Sequence, residues 1–180
     1  MKNEEFRVEK FETMASEYPK DRDIASLVEQ FPEIHARIIS WIRDAIRDRA
    51  WRRVDKFVLV AAAVKAEGLG DVLVEILCSD IEQVNREDYV CILGDLREVD
   101  AVDCLTNLAE RTILTDGPSY WLIQKIIGSL GDIGTHDARE YLLAMTKEPW
   151  PKVLRWHAAV ELQIEDELGF DEDEMLGWSE

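Results

Sequence analysis

The side chains of this 180-residue chain that could do nucleophilic, acid–base or metal chemistry are three histidines, three cysteines and 38 carboxylates. His35, His136 and His157 are followed by Ala36, Asp137 and Ala158, and none has a second His or Cys three or four residues on. No single helix face therefore offers a metal two imidazole or thiolate ligands. His136 with Asp137 reads as the loop and cap of a helix, and His157 as a helix residue whose ring finds a partner. Cys78, Cys91 and Cys104 are each 13 residues from the next, among Leu, Ile and Val, and read as buried packing thiols in a reducing compartment. There is no Gly-x-Ser-x-Gly, no phosphate-cradling glycine loop, no Cys-x-x-Cys and no dinucleotide fingerprint. Carboxylates are so abundant that no one pair stands out. The expectation is a chain with no catalytic residue, no cofactor and no metal.

Charge and aromatics point to binding instead. Lys and Arg number 21 against 38 acids, a net charge of −17. Residues 91–180 hold 7 basic and 19 acidic residues, so the negative field is strongest in the second half. Such a field repels phosphate backbones and anionic lipid and steers basic partners inward. The chain is thus expected to bind neither nucleic acid nor membrane directly. One segment, 37–56, reverses the sign: Arg37, Arg43, Arg47, Arg49, Arg52, Arg53 and Lys56 face only Asp44, Asp48 and Asp55. It reads as a solvated face with local ion pairs, or as a patch for the chain's own acids or an acidic partner. From Glu161 onward nine acids occur with no base, and Asp171 to Glu174 read as a solvated cap or tail, or as an electrostatic lure. Of the six tryptophans most should pack inside, whereas Tyr120, Trp121 and Trp150 adjoin loops or helix starts and are candidate exposed anchors.

The elements that must position these residues are helices. The longest apolar run, residues 57–64, is far short of the roughly 20 residues of a bilayer span, and the start MKNEEFRVEK lacks the apolar core of a signal peptide. A soluble, cytoplasmic protein is expected. Helix-length pieces cover 3–17, 21–31, 33–49 and 52–66. Ile34, Ile38, Ile42 and Ile46 recur every four residues with Trp41 and Ala45 beside them, one apolar stripe. Clean strand alternation is missing. Further on, Leu93, Gly94, Asp95, Leu96, Asp100, Ala101 and Leu105 recur 37 residues later as Leu130, Gly131, Asp132, Ile133, Asp137, Ala138 and Leu142. A degraded copy lies 29 residues upstream (Val64, Asp71, Val72, Ile76), and a half copy opens at Arg155. These spacings fit a two-helix unit. Within each unit the Leu-Gly-Asp glycine is expected to end the first helix in a left-handed turn, Asp100 or Asp137 to cap the second, and Ala101 or Ala138 to let it pack closely.

The stretches Val90–Leu105 and Ile127–Leu142, with Arg155, Trp156, His157, Ala158 and Ala159 opening a last unit, resemble the HEAT-like repeats in the short bacterial form also found in phycobilisome lyases. The resemblance covers about residues 55–165. It implies an all-α fold, a short α-α superhelix or solenoid in one domain: capping helices over 1–50, helix pairs over 51–166 and an acidic tail over 167–180. Among enzymes on this scaffold, the metal-dependent hydroxylases use repeated His-Glu pairs and the glycosylase-like proteins a basic groove, neither of which this sequence has. A bilin lyase needs a curved apolar groove with an acidic group, and the aromatics keep that alternative open.

In such arrays the second helix of each pair lines the concave side. That implication makes Asp103, Asn107 and Glu110 outward residues over a core of Leu105, Leu108 and Ala109. Arg139, Glu140 and Lys147 follow in the next unit, and Asp71 and Glu75 in the degraded one. Without Lys147, and together with Tyr120 and Trp121, these outward residues form the expected partner-binding set of nine, a mostly acidic face for a basic protein. The expected function is a non-enzymatic binding module: an inhibitor or immunity protein against a basic effector such as a toxin nuclease. An assembly scaffold or a bilin-lyase-like enzyme is the alternative.

Overall fold

The computed structural model describes residues 2–15, 21–79, 81, 83–171 and 175, with side chains from Arg7 to Ala15 and from Asp23 onward in those ranges. Among them the chain is all-α, with ten α-helices, one 3-10 turn and no strand. The helices are α1 (Lys2–Met14), α2 (Asp21–Gln30), α3 (Ile34–Arg47), α4 (Trp51–Ala63), α5 (Leu69–Cys78), α6 (Arg86–Leu96), α7 (Val102–Thr112), α8 (Trp121–Ile133), α9 (His136–Met145) and α10 (Lys152–Leu162). None of the described helices is long and apolar enough to cross a membrane. The chain divides into two compact units, Met1–Asn85 and Arg86–Glu180, each with its own core. Residue 50, where the sequence pattern changes, falls inside the first unit, between α3 and α4.

The first unit is organised by α4, which touches α1, α2, α3 and α5. Its Val54, Phe57, Val58, Val60 and Ala61 are fully buried, and the isoleucine stripe of α3 (Ile34, Ile38, Ile42) is buried with them, alongside Trp41 and Ala45. Phe11 of α1 stands at the centre of an aromatic cluster. Its ring lies 5.3 Å from Phe31 edge-on, 5.2 Å from Trp41 and 5.1 Å from Phe57. Such pairs add to the area term that already favours burying each ring. The basic segment closes over this core by ion pairs with the unit's own acids: Arg53 with Glu12 at 2.7 Å, Arg43 with Glu75 at 3.0 Å, and Arg47 with Asp44.

The second unit is organised by α8, whose Leu122, Ile123, Ile126, Ile127, Leu130 and Ile133 are buried. It packs on α6, α7, α9 and α10, while α10 also packs on α9 and α7 on α9. The 37-residue repeat thus falls on two helix pairs, α6 with α7 and α8 with α9. Ala101 and Ala138 are fully buried at the start of the second helix of each pair, as expected.

The repeated glycines do something other than what the sequence suggests. Gly94 and Gly131 do not end their helices; they lie inside α6 and α8. A Cβ on Gly94 would sit 2.9 Å from the Cα and Cβ of Ser129, and one on Gly131 would meet the Glu161 carboxylate. The glycines let helices approach. The left-handed residue falls three positions later, at Arg97 (φ 51°) and at its repeat equivalent Gly134 (φ 66°). After Arg97 the amide of Glu98 donates to the Leu93 carbonyl at 3.0 Å, the six-residue closure that satisfies an orphan carbonyl at a helix end. Arg49, Lys65 and Gln163 close α3, α4 and α10 in the same way, with Ala50 donating to Ala45, Ala66 to Ala61 and Ile164 to Ala159. Neither expected aspartate cap forms. Thr135 caps α9 by accepting from the Ala138 amide at 3.2 Å, and Asp100 lies within the 3-10 turn Val99–Ala101. The cysteines also differ from the expected buried packing thiols: Cys78 and Cys104 are disulfide-bonded, the first exposed and the second buried, and Cys91 is an exposed free thiol.

These contacts separate two glycines of similar helical setting. Gly94→Ala gains about 1 kcal/mol of helix propensity but forces α6 and α8 apart at a cost of about 1–3 kcal/mol, so net destabilisation is expected. Gly128→Ala, whose new methyl meets only Glu161 Oε1 at 3.8 Å, keeps the propensity gain and should stabilise by about 0.5–1 kcal/mol. Urea denaturation of both variants measures the difference.

Candidate functional site

Seven of the nine residues expected to bind a partner lie in the second unit, and α7 and α9 carry five of them. On α7 the apolar positions Val102, Leu105, Leu108 and Ala109 face the core, and this phase turns Asp103, Asn107 and Glu110 outward, one helix turn apart. All three are exposed. Asn107 is held along the helix by a bond from its Nδ2 to the Asp103 carbonyl at 2.6 Å. On α9 the buried Ala138, Leu142 and Met145 leave Arg139 and Glu140 exposed, with Lys147 exposed just beyond the helix. Glu140 reaches back one turn to His136 Nε2 at 3.4 Å, an ion pair that exists only while the imidazole is protonated.

What joins α7 to α9 is a tyrosine that the sequence pattern does not single out. The half-buried Tyr141 donates its hydroxyl to the Thr106 carbonyl at 3.2 Å, with the Glu110 carboxylate near enough to act on the phenol by its charge. Burial first, and then the negative charge of Glu110, push its phenol well above the ordinary value. Trp150, in the loop after α9, meets Tyr141 edge-on at 6.3 Å. Between the end of α7 and this loop lies a cleft of about 150 Å³, lined by Glu110, Ile113, Pro149 and Trp150. Glu110 therefore has two surroundings, the outward acidic row and the wall of an apolar cleft.

The other two anchors begin α8. Tyr120 takes a left-handed backbone (φ 53°) and is half-buried, and Trp121 is 60% exposed. This helix start is set by Asp116, whose carboxylate accepts from the Ile123 amide at 3.0 Å while its carbonyl accepts from the Tyr120 amide at 2.8 Å. Trp150 is half-buried and Trp156 buried, while Trp178, like Glu172 to Glu174 of the acidic tail, lies outside the described residues. Asp71 and Glu75 belong to the first unit, on one face of α5. Both are exposed, and Glu75 is paired with Arg43.

Elsewhere the reactive groups are scattered. No cluster of three or more His, Cys, Asp or Glu suited to a metal occurs among the described residues. His157 is half-buried against the Trp156 ring at 4.7 Å, and burial lowers its pKa. Glu161, one turn on, has its pKa raised by burial and by Asp132. Cys91 is an exposed free thiol whose pKa is raised by partial burial, with Lys125 pulling the other way and Asp88, Asp95 and Glu87 adding to the rise.

No protein-family model matches the chain, and no curated protein or solved structure matches it.

The Tyr141 bridge has a pH signature. Because the folded chain holds the phenolic proton more tightly than the unfolded chain does, ionisation begins in unfolded molecules as pH rises past 10.0, and the stability the group contributes is lost above that point. Tyr141→Phe should cost about 0.5–1.5 kcal/mol at pH 7. Its deficit relative to the parent should shrink between pH 9 and pH 11, as read from urea denaturation at each pH.

Proposed function

We propose that this chain is a non-enzymatic binding module that captures a basic protein through the acidic side of α7 and α9. Residues 86–180 contain 8 Lys and Arg against 21 Asp and Glu, and α7 holds Asp103, Asn107 and Glu110 in one outward row on a helix anchored by a buried face. That row is the observation that carries the reading. Rigid presentation matters because charges fixed in place steer encounter and select partners without an ordering penalty on binding. Trp150, which lines a cleft with Glu110, supplies the apolar contact that slows dissociation, and the exposed Trp121 offers a second anchor.

The architecture we infer is a short HEAT-like stack. First helices follow one another, α6 on α8 on α10, and second helices likewise, α7 on α9, which is how helix pairs that cannot cover their own apolar faces bury them against neighbours. In the same reading α1, α2 and α3 act as a cap over α4 and α5. An effector that attracts phosphate, such as a nuclease, presents the complementary positive surface, so the module fits the role of its inhibitor or immunity protein. The cleft beside Trp150 is smaller than the roughly 300 Å³ lower bound for small-molecule sites, which weighs against a tetrapyrrole there.

Asp103→Lys with Glu140→Lys tests the face, with Glu29→Lys and Glu67→Lys as a control of equal charge change on exposed residues of the first unit. Pull-downs from native lysate at low and moderate salt should retain a basic protein on the parent and on the control, release it as salt rises, and lose it on the face variant. Equal retention on all three would sink the proposed surface.

A further inference from the structure

The cleft at the end of α7 has a composition that neither packing nor solubility accounts for. Three of its four lining residues, Ile113, Pro149 and Trp150, are apolar, and the fourth is a carboxylate. The carboxylate stands beside Tyr141, whose hydroxyl is fixed on the Thr106 carbonyl. The indole is oriented, since the Trp150 amide donates to the Lys147 carbonyl at 3.2 Å and its ring rests edge-on against Tyr141. An aromatic ring and a carboxylate lining one cleft attract a cation by two mechanisms at once, the ring's quadrupole and direct charge. A volume of about 150 Å³ admits one side-chain head group and not a peptide backbone with its neighbours.

We propose that this cleft is a pocket for a single arginine side chain of the basic partner, its guanidinium resting on the Trp150 indole and hydrogen-bonded to Glu110. The inference rests on the proposed binding of a basic protein and names the group that the protein inserts. Guanidinium fits better than ammonium for a physical reason: it is planar, stacks on an indole, offers two parallel donors to one carboxylate and loses less hydration on entering an apolar cleft. The acidic row on α7 lies on the approach to the cleft, so the field that draws the partner in also delivers the arginine. This assigns Glu110 a role apart from that of Asp103, which acts only through long-range charge.

The probe is N-acetyl-arginine methylamide, titrated into the full chain while the indole N–H resonances are followed by NMR, with Trp150→Phe identifying the Trp150 signal. The arginine compound should move the Trp150 resonance in a saturable way, its neutral citrulline counterpart should not, and the lysine compound should bind more weakly. Glu110→Gln, close in shape and able to keep the cleft folded, should weaken the arginine titration by about fivefold to tenfold, as expected for losing a charge-assisted bond. An unmoved Trp150 resonance, or equal responses to arginine and citrulline, overturns the pocket. The two proposals fail separately. If Asp103→Lys with Glu140→Lys abolishes capture while arginine leaves Trp150 unmoved, the face stands and the pocket falls; if arginine binds at Trp150 while the face variant captures normally, the pocket stands and the face falls.

Discussion

The second unit depends on how closely α6 and α8 can approach. Gly94 lies directly over Ser129, with no room for even a methyl group between them, and the Ser129 hydroxyl donates to the Val90 carbonyl at 2.9 Å. The hydrogen bond satisfies a buried hydroxyl that would otherwise penalise the interface. That one contact fixes the spacing of two helices, and α7 and α9 leave their C-terminal ends through short links. Arg97 and Gly134, left-handed at equivalent points of the repeat, turn the chain in the same sense both times. The outward row on α7 and the Tyr141 bridge to α9 are consequences of this spacing. A wider α6–α8 separation would move Tyr141 off the Thr106 carbonyl and open the cleft beside Glu110.

The first unit solves a different problem by different means. Its helices are gathered by aromatic rings around Phe11 with an arginine-rich rim. The positive charges that stood out in the sequence, Arg43, Arg47 and Arg53, pair with Glu75, Asp44 and Glu12 of the same unit. Exposed pairs of this sort add little stability individually, but they neutralise a segment that would otherwise compete for acids on the chain's own surface. The excess negative charge is thereby left to the second unit, where the exposed carboxylates of α7 and α9 are held on rigid helices.

Helical character, the isoleucine stripe of α3, the repeat and the outward phase of Asp103, Asn107 and Glu110 were all legible in the sequence. They depend on period and composition, and a 3.6-residue period places side chains on faces whatever the rest of the fold does. The glycine of Leu-Gly-Asp was misread because its sequence context fits two roles, a left-handed helix end or a close helix contact. Only the arrival of Ser129 from another helix decides between them. The helix ends were missed because Arg49, Lys65, Arg97 and Gln163 take the left-handed conformation without the glycine or asparagine that usually signals it.

By itself, then, the sequence determined which residues would be helical, which faces would be buried and where negative charge would accumulate, because each follows from short-range periodicity or from counting. The tertiary structure alone decided what those faces meet. It set Tyr141 between Thr106 and Glu110, brought Trp150 to Tyr141 across an intervening loop, and put Thr135 rather than Asp137 at the start of α9. It also exposed Cys91 and Trp121 while burying Cys104 and Trp156. Residues such as Thr106 and Tyr141, 35 positions apart, become neighbours only when packing of the α8 core brings the helix pairs together, and no local pattern encodes that distance.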